Sequence, residues 1–166
     1  VVSIAYVYDE VTQFCDILLP ESALLERYGI QGVGVGHFVQ AQDASSLSAR
    51  GVLARVPIMP TRYNTRQADD IYIELAERAG FLYGEGGLND HLNRYWNLQG
   101  DQKLVLDRRY STADLLDRVL KSSFGVKEGL EYFNDASLYN KPFSSAESYN
   151  SYYFPEGTTR YPFYFE

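Results

Sequence analysis

The chain has 166 residues, of which 45% are hydrophobic, and its formal net charge at pH 7 is −7. A chain of this length can form one domain that buries roughly 70% of its unfolded surface. The negative charge argues against nonspecific binding to nucleic acids or acidic membranes. A single cysteine excludes an internal disulfide and a paired-cysteine metal site. No apolar run approaches the ~18 residues that indicate a membrane-spanning helix.

The first twenty residues predict two strands. Residues 1–8 are rich in β-branched and aromatic side chains, which favour strands. Residues 16–20 place three apolar side chains between an aspartate and a proline, a pattern typical of a short strand buried on both faces of a parallel sheet. The strand should end at Pro20, because proline cannot donate to the next ladder hydrogen bond. Because both ends of the chain lie within apparent strands, we expect a fragment of a longer polypeptide.

The segment 9–26 resembles the signature of prokaryotic molybdopterin oxidoreductases. The family pattern is T-E-T-A-x-x-A-D-[VI]-[VL]-L-P-x-x-x-x-x-E, and this chain has D-E-V-T-Q-F-C-D-I-L-L-P-E-S-A-L-L-E. The residues that fall on family positions are Glu10, Asp16, Leu19, Pro20 and Glu26. Val11 and Cys15 stand where the family usually has threonine and alanine, which suggests a divergent branch.

The resemblance implies a catalytic subunit in which molybdenum or tungsten is held by two molybdopterin guanine dinucleotides. In that family the iron–sulfur cluster and the side chain that ligates the metal lie upstream of this segment, so we predict no catalytic or metal-ligating residue here. The resemblance also implies a small-molecule substrate, an iron–sulfur electron-transfer subunit as a partner, and a prokaryotic cytoplasm or periplasm as the location. It leaves the substrate and the choice of metal open.

Three residues near the first strand are the predicted cofactor contacts: Glu10, Thr12 and Asp16. The loop after a strand lies at its carboxyl end, where open α/β sheets bind ligands. A carboxylate can accept two hydrogen bonds from a guanine edge, which suits Asp16 in particular. The alternative for Asp16 is that it caps or orients the second strand.

A series of glycines between residues 29 and 36 lacks the spacing of a dinucleotide-binding loop and the Lys-Ser/Thr pair of a phosphate-binding loop. Alternating valine and glycine instead predicts a strand or bend that another backbone or a cofactor approaches closely. His37, at the end of this series, is a candidate for lining a substrate funnel. Cys15 is predicted to be a small buried thiol, and His91 a surface or packing histidine.

Helical patterns follow residue 64. Asn64 and Gln67 resemble a capping box, and four apolar residues then recur at helical spacing before Gly80: Ala68, Ile71, Leu75 and Ala79. Residues 69–80 also resemble the helix d-w-I-i-x-x-L-a-x-r-l-G that follows the Leu-Pro motif in the same family. Further helices are predicted at 88–98, 111–124 and 127–133. Ser111 and Asp114 form a second capping-box pattern.

The sequence as a whole predicts an α/β fold with two parts. Residues 1–80 would belong to a Rossmann-like parallel-sheet domain that binds the cofactor. Residues 81–166 would form a helical and aromatic-rich connection toward a C-terminal β-barrel domain that the chain does not include, with a hairpin of strands at 151–154 and 160–165. Two alternatives are a non-enzymatic, tyrosine-rich binding module and a non-catalytic homologous subunit.

Overall fold

The computed structural model describes residues 1–33 and 51–140, and these ranges contain both helices and strands. The mixture confirms the predicted α/β class, with two small sheets. The predicted hairpin at 151–165 and His37 lie outside the described residues. The strands and α-helices of the described ranges are β1 (Val2–Ala5), β2 (Ile17–Pro20), β3 (Gly29–Val33), β4 (Gly51–Arg55), α1 (Ala68–Arg78), α2 (Leu88–Tyr95), α3 (Thr112–Val119) and β5 (Leu138–Asn140).

β1 and β2 form the parallel pair that the sequence suggests. Their register runs from Val2 opposite Ile17 to Ala5 opposite Pro20, so β2 ends at the proline as predicted. β1 is shorter than the predicted run of eight residues. The residue after β2 forms a parallel bridge with Arg66, two residues before α1 begins. The Leu-Pro segment therefore lies between β1 and the segment that leads into α1.

The prediction that β2 is buried on both faces is wrong. Ile17 is 54% exposed and Leu18 is 36% exposed. Neither apolar cluster of the described residues includes a side chain from β1 or β2. A two-stranded sheet buries little apolar surface by itself, and its protection from solvent depends on further strands or helices. The apolar run correctly indicates a strand, but a local pattern does not specify what covers that strand.

The second sheet is antiparallel, with β4 between β3 and β5. Gly29 of β3 lies opposite Arg55 of β4, and Val52 of β4 lies opposite Tyr139 of β5. β3 contains the first part of the glycine series, which confirms a strand there; the rest of the series lies outside the described residues. Val52 is fully buried and joins this sheet to the main core.

The start of α1 differs from the prediction. The helix begins at Ala68, and Gln67 is its N-cap residue rather than the last residue of a capping box. The predicted box is wrong because the Gln67 side chain bonds to the backbone of Tyr28 in the segment before β3. Asn64 is exposed in the preceding loop. The N-terminus of α1 is therefore attached to a residue distant in sequence.

The buried face of α1 is also shifted from the predicted one. Ile71, Ile73 and Ala76 are its buried residues, whereas Leu75 is 45% exposed. The helix ends before Gly80, as predicted, and this glycine has a φ of 81°. A positive φ at the end of a helix favours glycine because it has no side chain to clash.

α2 and α3 follow the predicted order. α2 ends at Tyr95, earlier than predicted, and Asn97 then adopts a left-handed φ of 50°. The predicted capping box of α3 is confirmed: the Asp114 N–H donates to Ser111 Oγ at 3.2 Å, and the Ser111 N–H donates to the Asp114 carboxylate at 3.4 Å. A π turn over Leu120–Phe124 continues α3, and the predicted helix at 127–133 is a 3₁₀ turn over Gly129–Asn134.

The main apolar core lies around α3 and its following turns. Its buried members are Val52, Leu98, Leu104, Tyr110, Leu115, Val119, Leu120, Phe124, Val126 and Phe133. A smaller cluster of Ile73, Ala76 and Leu82 joins α1 to the loop after it. Asp70 of α1 accepts hydrogen bonds from the backbone and hydroxyl of Thr112 at 2.9 and 2.8 Å, which fixes α1 to the start of α3. In the described ranges no helix is long and apolar enough to cross a bilayer.

Candidate functional site

A cleft of about 230 Å³ lies where the Leu-Pro segment meets α1. Its position is at the carboxyl end of β2, the edge at which open α/β sheets bind ligands. The residues that line it are Leu19, Pro20, Asn64, Arg66, Ile71, Glu74, Leu75 and Arg78. The motif therefore provides one wall of the cleft and the family-like helix provides the other.

The charged side of this cleft is organised around Glu74. Its carboxylate accepts hydrogen bonds from Arg78 Nε at 2.9 Å and Nη2 at 2.6 Å, and it is also paired with Arg66. Arg109 lies 3.9 Å from Glu74 and donates to Glu77 at 2.7 Å. The hydrogen bond from Arg78, together with the positive charges of Arg66 and Arg78, lowers the pKa of Glu74. Three guanidinium groups and two carboxylates thus form one network with a net positive charge.

Both walls of the cleft also contribute apolar side chains: Leu19 and Pro20 from the motif, and Ile71 and Leu75 from α1. The ionisable side chains of the described lining are Arg66, Glu74 and Arg78. Apolar side chains beside a net positive rim favour binding of a ligand that carries both apolar and anionic groups.

Thr12, a predicted cofactor contact, is buried and bonded to Asp9. It is 3% exposed, and its hydroxyl accepts from the Asp9 N–H at 2.7 Å and donates to the Asp9 carbonyl at 3.0 Å. The Asp9 carboxylate in turn accepts from the N–H groups of Thr12 and Val11 at 2.8 and 3.0 Å. The hydrogen bond from the Thr12 backbone lowers the pKa of Asp9. These contacts give Thr12 a clear role in holding the loop between β1 and β2.

Asp16 lies at the amino end of the parallel pair. Its backbone N–H donates to the Val1 carbonyl at 2.8 Å. The side chain is 81% exposed, so its oxygens remain accessible to a ligand. Because β2 runs parallel to β1, the residue before β2 returns to the end where β1 starts. Ligands are expected at the carboxyl ends of the strands. This expectation therefore applies to the first residues of the loop between β1 and β2 and not to Asp16.

The remaining predicted residues are dispersed. Glu10 is exposed in the loop between β1 and β2, and none of Glu10, Thr12 and Asp16 is among the residues that line the cleft. Cys15 is half-buried, with its Sγ 2.8 Å from the Thr12 carbonyl oxygen. His91 is exposed and stacks on Tyr95 with 6.2 Å between ring centroids. Within residues 1–33 and 51–140, no three His, Cys, Asp or Glu residues converge as metal ligands.

Sequence reasoning did not identify the arginines of the cleft. The spacing of Glu74 and Arg78 is a readable signal, because residues four apart share a helix face. Arg66 and Arg109 carry no such signal, since they join the network only through the folded arrangement of the loops around α1.

Comparisons with known protein families, with curated proteins and with solved structures gave no match for this chain. The resemblance to molybdopterin oxidoreductases therefore depends on the residues quoted for it, from segment 9–26 and from residues 69–80.

Proposed function

We propose that this chain is a segment of the catalytic subunit of a molybdenum or tungsten oxidoreductase with a bis-molybdopterin guanine dinucleotide cofactor. One observation carries the proposal. The two segments with family-like sequence, the Leu-Pro strand and the helix α1, occur in the family order and form the two walls of one cleft. In this proposal the chain supplies part of the cofactor-binding scaffold, while the metal ligand and an iron–sulfur cluster belong to an upstream part of the polypeptide.

The candidate cofactor contacts have distinct roles in this proposal. Glu10 and Asp16 present exposed carboxylates that can accept hydrogen bonds from the N–H groups of a guanine edge. Thr12 acts as a positioning residue, because its bonds to Asp9 hold the loop that carries Glu10. The bound cofactor would supply the redox chemistry, whereas these residues bind and orient it. The proposal also includes His37 in a substrate funnel, a small-molecule substrate and an electron-transfer subunit with iron–sulfur clusters.

Substitution of Asp16 tests the proposed contact in the intact protein. Asp16→Asn removes one acceptor oxygen and turns an amide toward the donors of the guanine. Losing a charge-assisted bond of this kind costs about 1.5–3 kcal/mol, or roughly a ten- to hundredfold loss of cofactor affinity. Metal per folded molecule and thermal stability are measured on the same preparation. Asp107→Asn, at an exposed position outside the cleft, is the matched control.

The two interpretations of Asp16 give different results in this experiment. A cofactor contact predicts lower metal content with a nearly unchanged melting temperature. A residue that only orients β2 predicts a lower melting temperature with full metal content in the molecules that fold. Full metal occupancy in Asp16→Asn would remove Asp16 from the proposed contacts.

A second candidate function, a tyrosine-rich binding module, is favoured by exposed tyrosines near the N-terminal sheet and α1. These are Tyr6, Tyr8, Tyr63 and Tyr72. Tyrosine combines an apolar ring with a polar hydroxyl and is well suited to contact surfaces. This candidate predicts a folded intact protein that contains no molybdenum, tungsten or pterin.

A further inference from the structure

A second, larger cavity of about 330 Å³ lies beside the first turn of α1 and shares no described lining residue with the first cleft. It is bordered by the start of β3, the end of β4, the first turn of α1 and residues from the end of α2 and from α3. The described lining residues are Arg27, Tyr28, Gly29, Ile30, Arg55, Gln67, Asp69, Trp96 and Leu116. Two of them are arginines, which come from separate segments of the chain.

Arg55 has a guanidinium group without a carboxylate partner among the described residues. Its Nε donates to the Arg27 backbone carbonyl at 3.1 Å, and the part of the chain that the structure describes gives it no ion pair. The guanidinium lies over Gly29, because a Cβ atom at that glycine would lie only 2.8 Å from Arg55 Nη2. Burial, and secondarily the positive charge of Arg27, lower the pKa of Arg55. Arg55 is therefore a half-buried cation at the cavity wall.

Arg27 contributes a second unsatisfied donor. Its guanidinium pairs with Glu21, but its Nε is buried and has no hydrogen-bond partner in the described structure. A buried donor without a partner is unfavourable, so such a group is usually bonded to a protein atom, a water or a ligand. Two neighbouring guanidinium groups thus border one cavity, and only one of them is paired with an acid.

The other charged group at the cavity is already bonded. Asp69 accepts from Gln67 Nε2 at 3.0 Å, and the Gln67 amide also holds the Tyr28 backbone. No ion pair joins Asp69 to either arginine within the described residues. Trp96 and Leu116 add apolar surface on the helical side. The cavity therefore combines a cationic wall with an apolar wall.

We propose that this cavity binds the oxyanionic group of a small ligand, a carboxylate or a phosphate, between Arg55 and Arg27. Guanidinium groups bind both kinds of oxyanion through paired, charge-assisted hydrogen bonds. The oxyanion would neutralise Arg55 and reduce the repulsion between the two cations. The site shares no described lining residue with the cleft between the Leu-Pro segment and α1, and it does not depend on the function proposed for that cleft.

Titration of the intact protein with inorganic phosphate and, separately, with acetate tests this site. Calorimetry at constant ionic strength, with chloride as the reference anion, measures the affinity. We expect saturable binding of at least one of the two oxyanions. The anion that binds more tightly shows whether the site prefers a phosphate or a carboxylate. Arg55→Gln should weaken this binding roughly tenfold or more, because it removes a charge-assisted donor pair. Arg62→Gln, at an exposed loop position, should leave the affinity unchanged.

A second variant moves the same cation without removing it. In Gly29→Ala the new methyl group would displace the flexible end of Arg55, since Nη2 occupies that space. We expect weaker oxyanion binding with an unchanged total charge and little loss of stability. The proposal is overturned if neither phosphate nor acetate binds more tightly than chloride, or if Arg55→Gln and Gly29→Ala both bind with the wild-type affinity.

Discussion

Gln67 is the residue that joins the N-terminal segment to the helical part of the chain. It is 8% exposed, and its amide accepts from the Tyr28 N–H at 3.1 Å and donates to the Tyr28 carbonyl at 3.0 Å. This pair of bonds resembles one step of a strand ladder made by a side chain. Because Gln67 is also the N-cap residue of α1, it fixes the helix start against the segment before β3.

Gln67→Ala should therefore destabilise the protein substantially. The substitution leaves the Tyr28 N–H and carbonyl without their partners, and the expected loss in the free energy of unfolding is about 1–3 kcal/mol. Chemical denaturation measures the change. Gln13→Ala is the control, because Gln13 is exposed and bonds only to a nearby carbonyl in its own turn; its effect should stay within about 0.5 kcal/mol. Equal effects of the two substitutions would contradict the role given to Gln67.

Glu74 makes the stability of the cleft dependent on pH. The hydrogen bond from Arg78 and the charge of Arg66 lower its folded-state pKa below the ordinary value of 4.5. A lowered carboxylate pKa stabilises the folded state above the unfolded pKa, and this stabilisation is lost as the pH falls through the folded pKa. Glu74→Gln should therefore lower the free energy of unfolding at neutral pH, with a difference from wild type that shrinks below about pH 4.5.

Urea denaturation at several pH values, from neutral to about pH 3, measures this difference. Glu85→Gln, at an exposed position, provides the control for loss of a carboxylate. Added salt should also reduce the Glu74 effect, because its arginine partners are largely exposed. A difference between Glu74→Gln and wild type that stays constant over the whole pH range would show that the ion pairs do not stabilise the fold.

At the scale of elements, the caps of α1 and α3 differ in how far apart their partners lie. The α3 cap joins Ser111 to Asp114, three residues away, so the sequence pattern alone predicts it. The Gln67 side chain instead bonds to Tyr28, 39 residues away, and no local pattern contains that contact. The strand at residues 17–20 shows the same difference. Its local composition predicts that it is a strand, but its exposure to solvent depends on other layers of the fold.

Ser111→Ala should destabilise α3 and the core attached to it. The hydroxyl accepts the Asp114 N–H, and loss of such an N-cap typically costs about 1 kcal/mol. α3 carries Leu115 and Val119 of the main core, so the loss should appear in the global unfolding transition rather than in local fraying. Denaturant melts of Ser111→Ala and of the control Ser137→Ala, an exposed serine, measure the change. A stability equal to that of the control would contradict the importance of the cap.

At the scale of the whole molecule, the candidate site could be predicted only in part. The parallel register places Asp16 beside Val1, at the amino end of the sheet. The sequence alone shows only that Asp16 follows a loop, and it does not show at which end of the sheet the residue lies. Arg66 and Arg78 line the cleft, and Arg109 joins the same ion-pair network from outside the lining; only the folded loops create this arrangement. The Leu-Pro pattern thus predicted the strand whose end borders the cleft, and the folded chain determined which charged side chains line it.

The most direct test of the proposed function is the metal and nucleotide content of the intact protein, purified from cells that synthesise molybdopterin cofactors. Elemental analysis measures molybdenum and tungsten, and chromatography of the released cofactor measures guanine nucleotide. We expect stoichiometric molybdenum or tungsten together with guanine nucleotide in the folded protein. A folded, intact protein that contains neither metal nor guanine nucleotide, from cells in which a known enzyme of this class is fully loaded, would contradict the proposal.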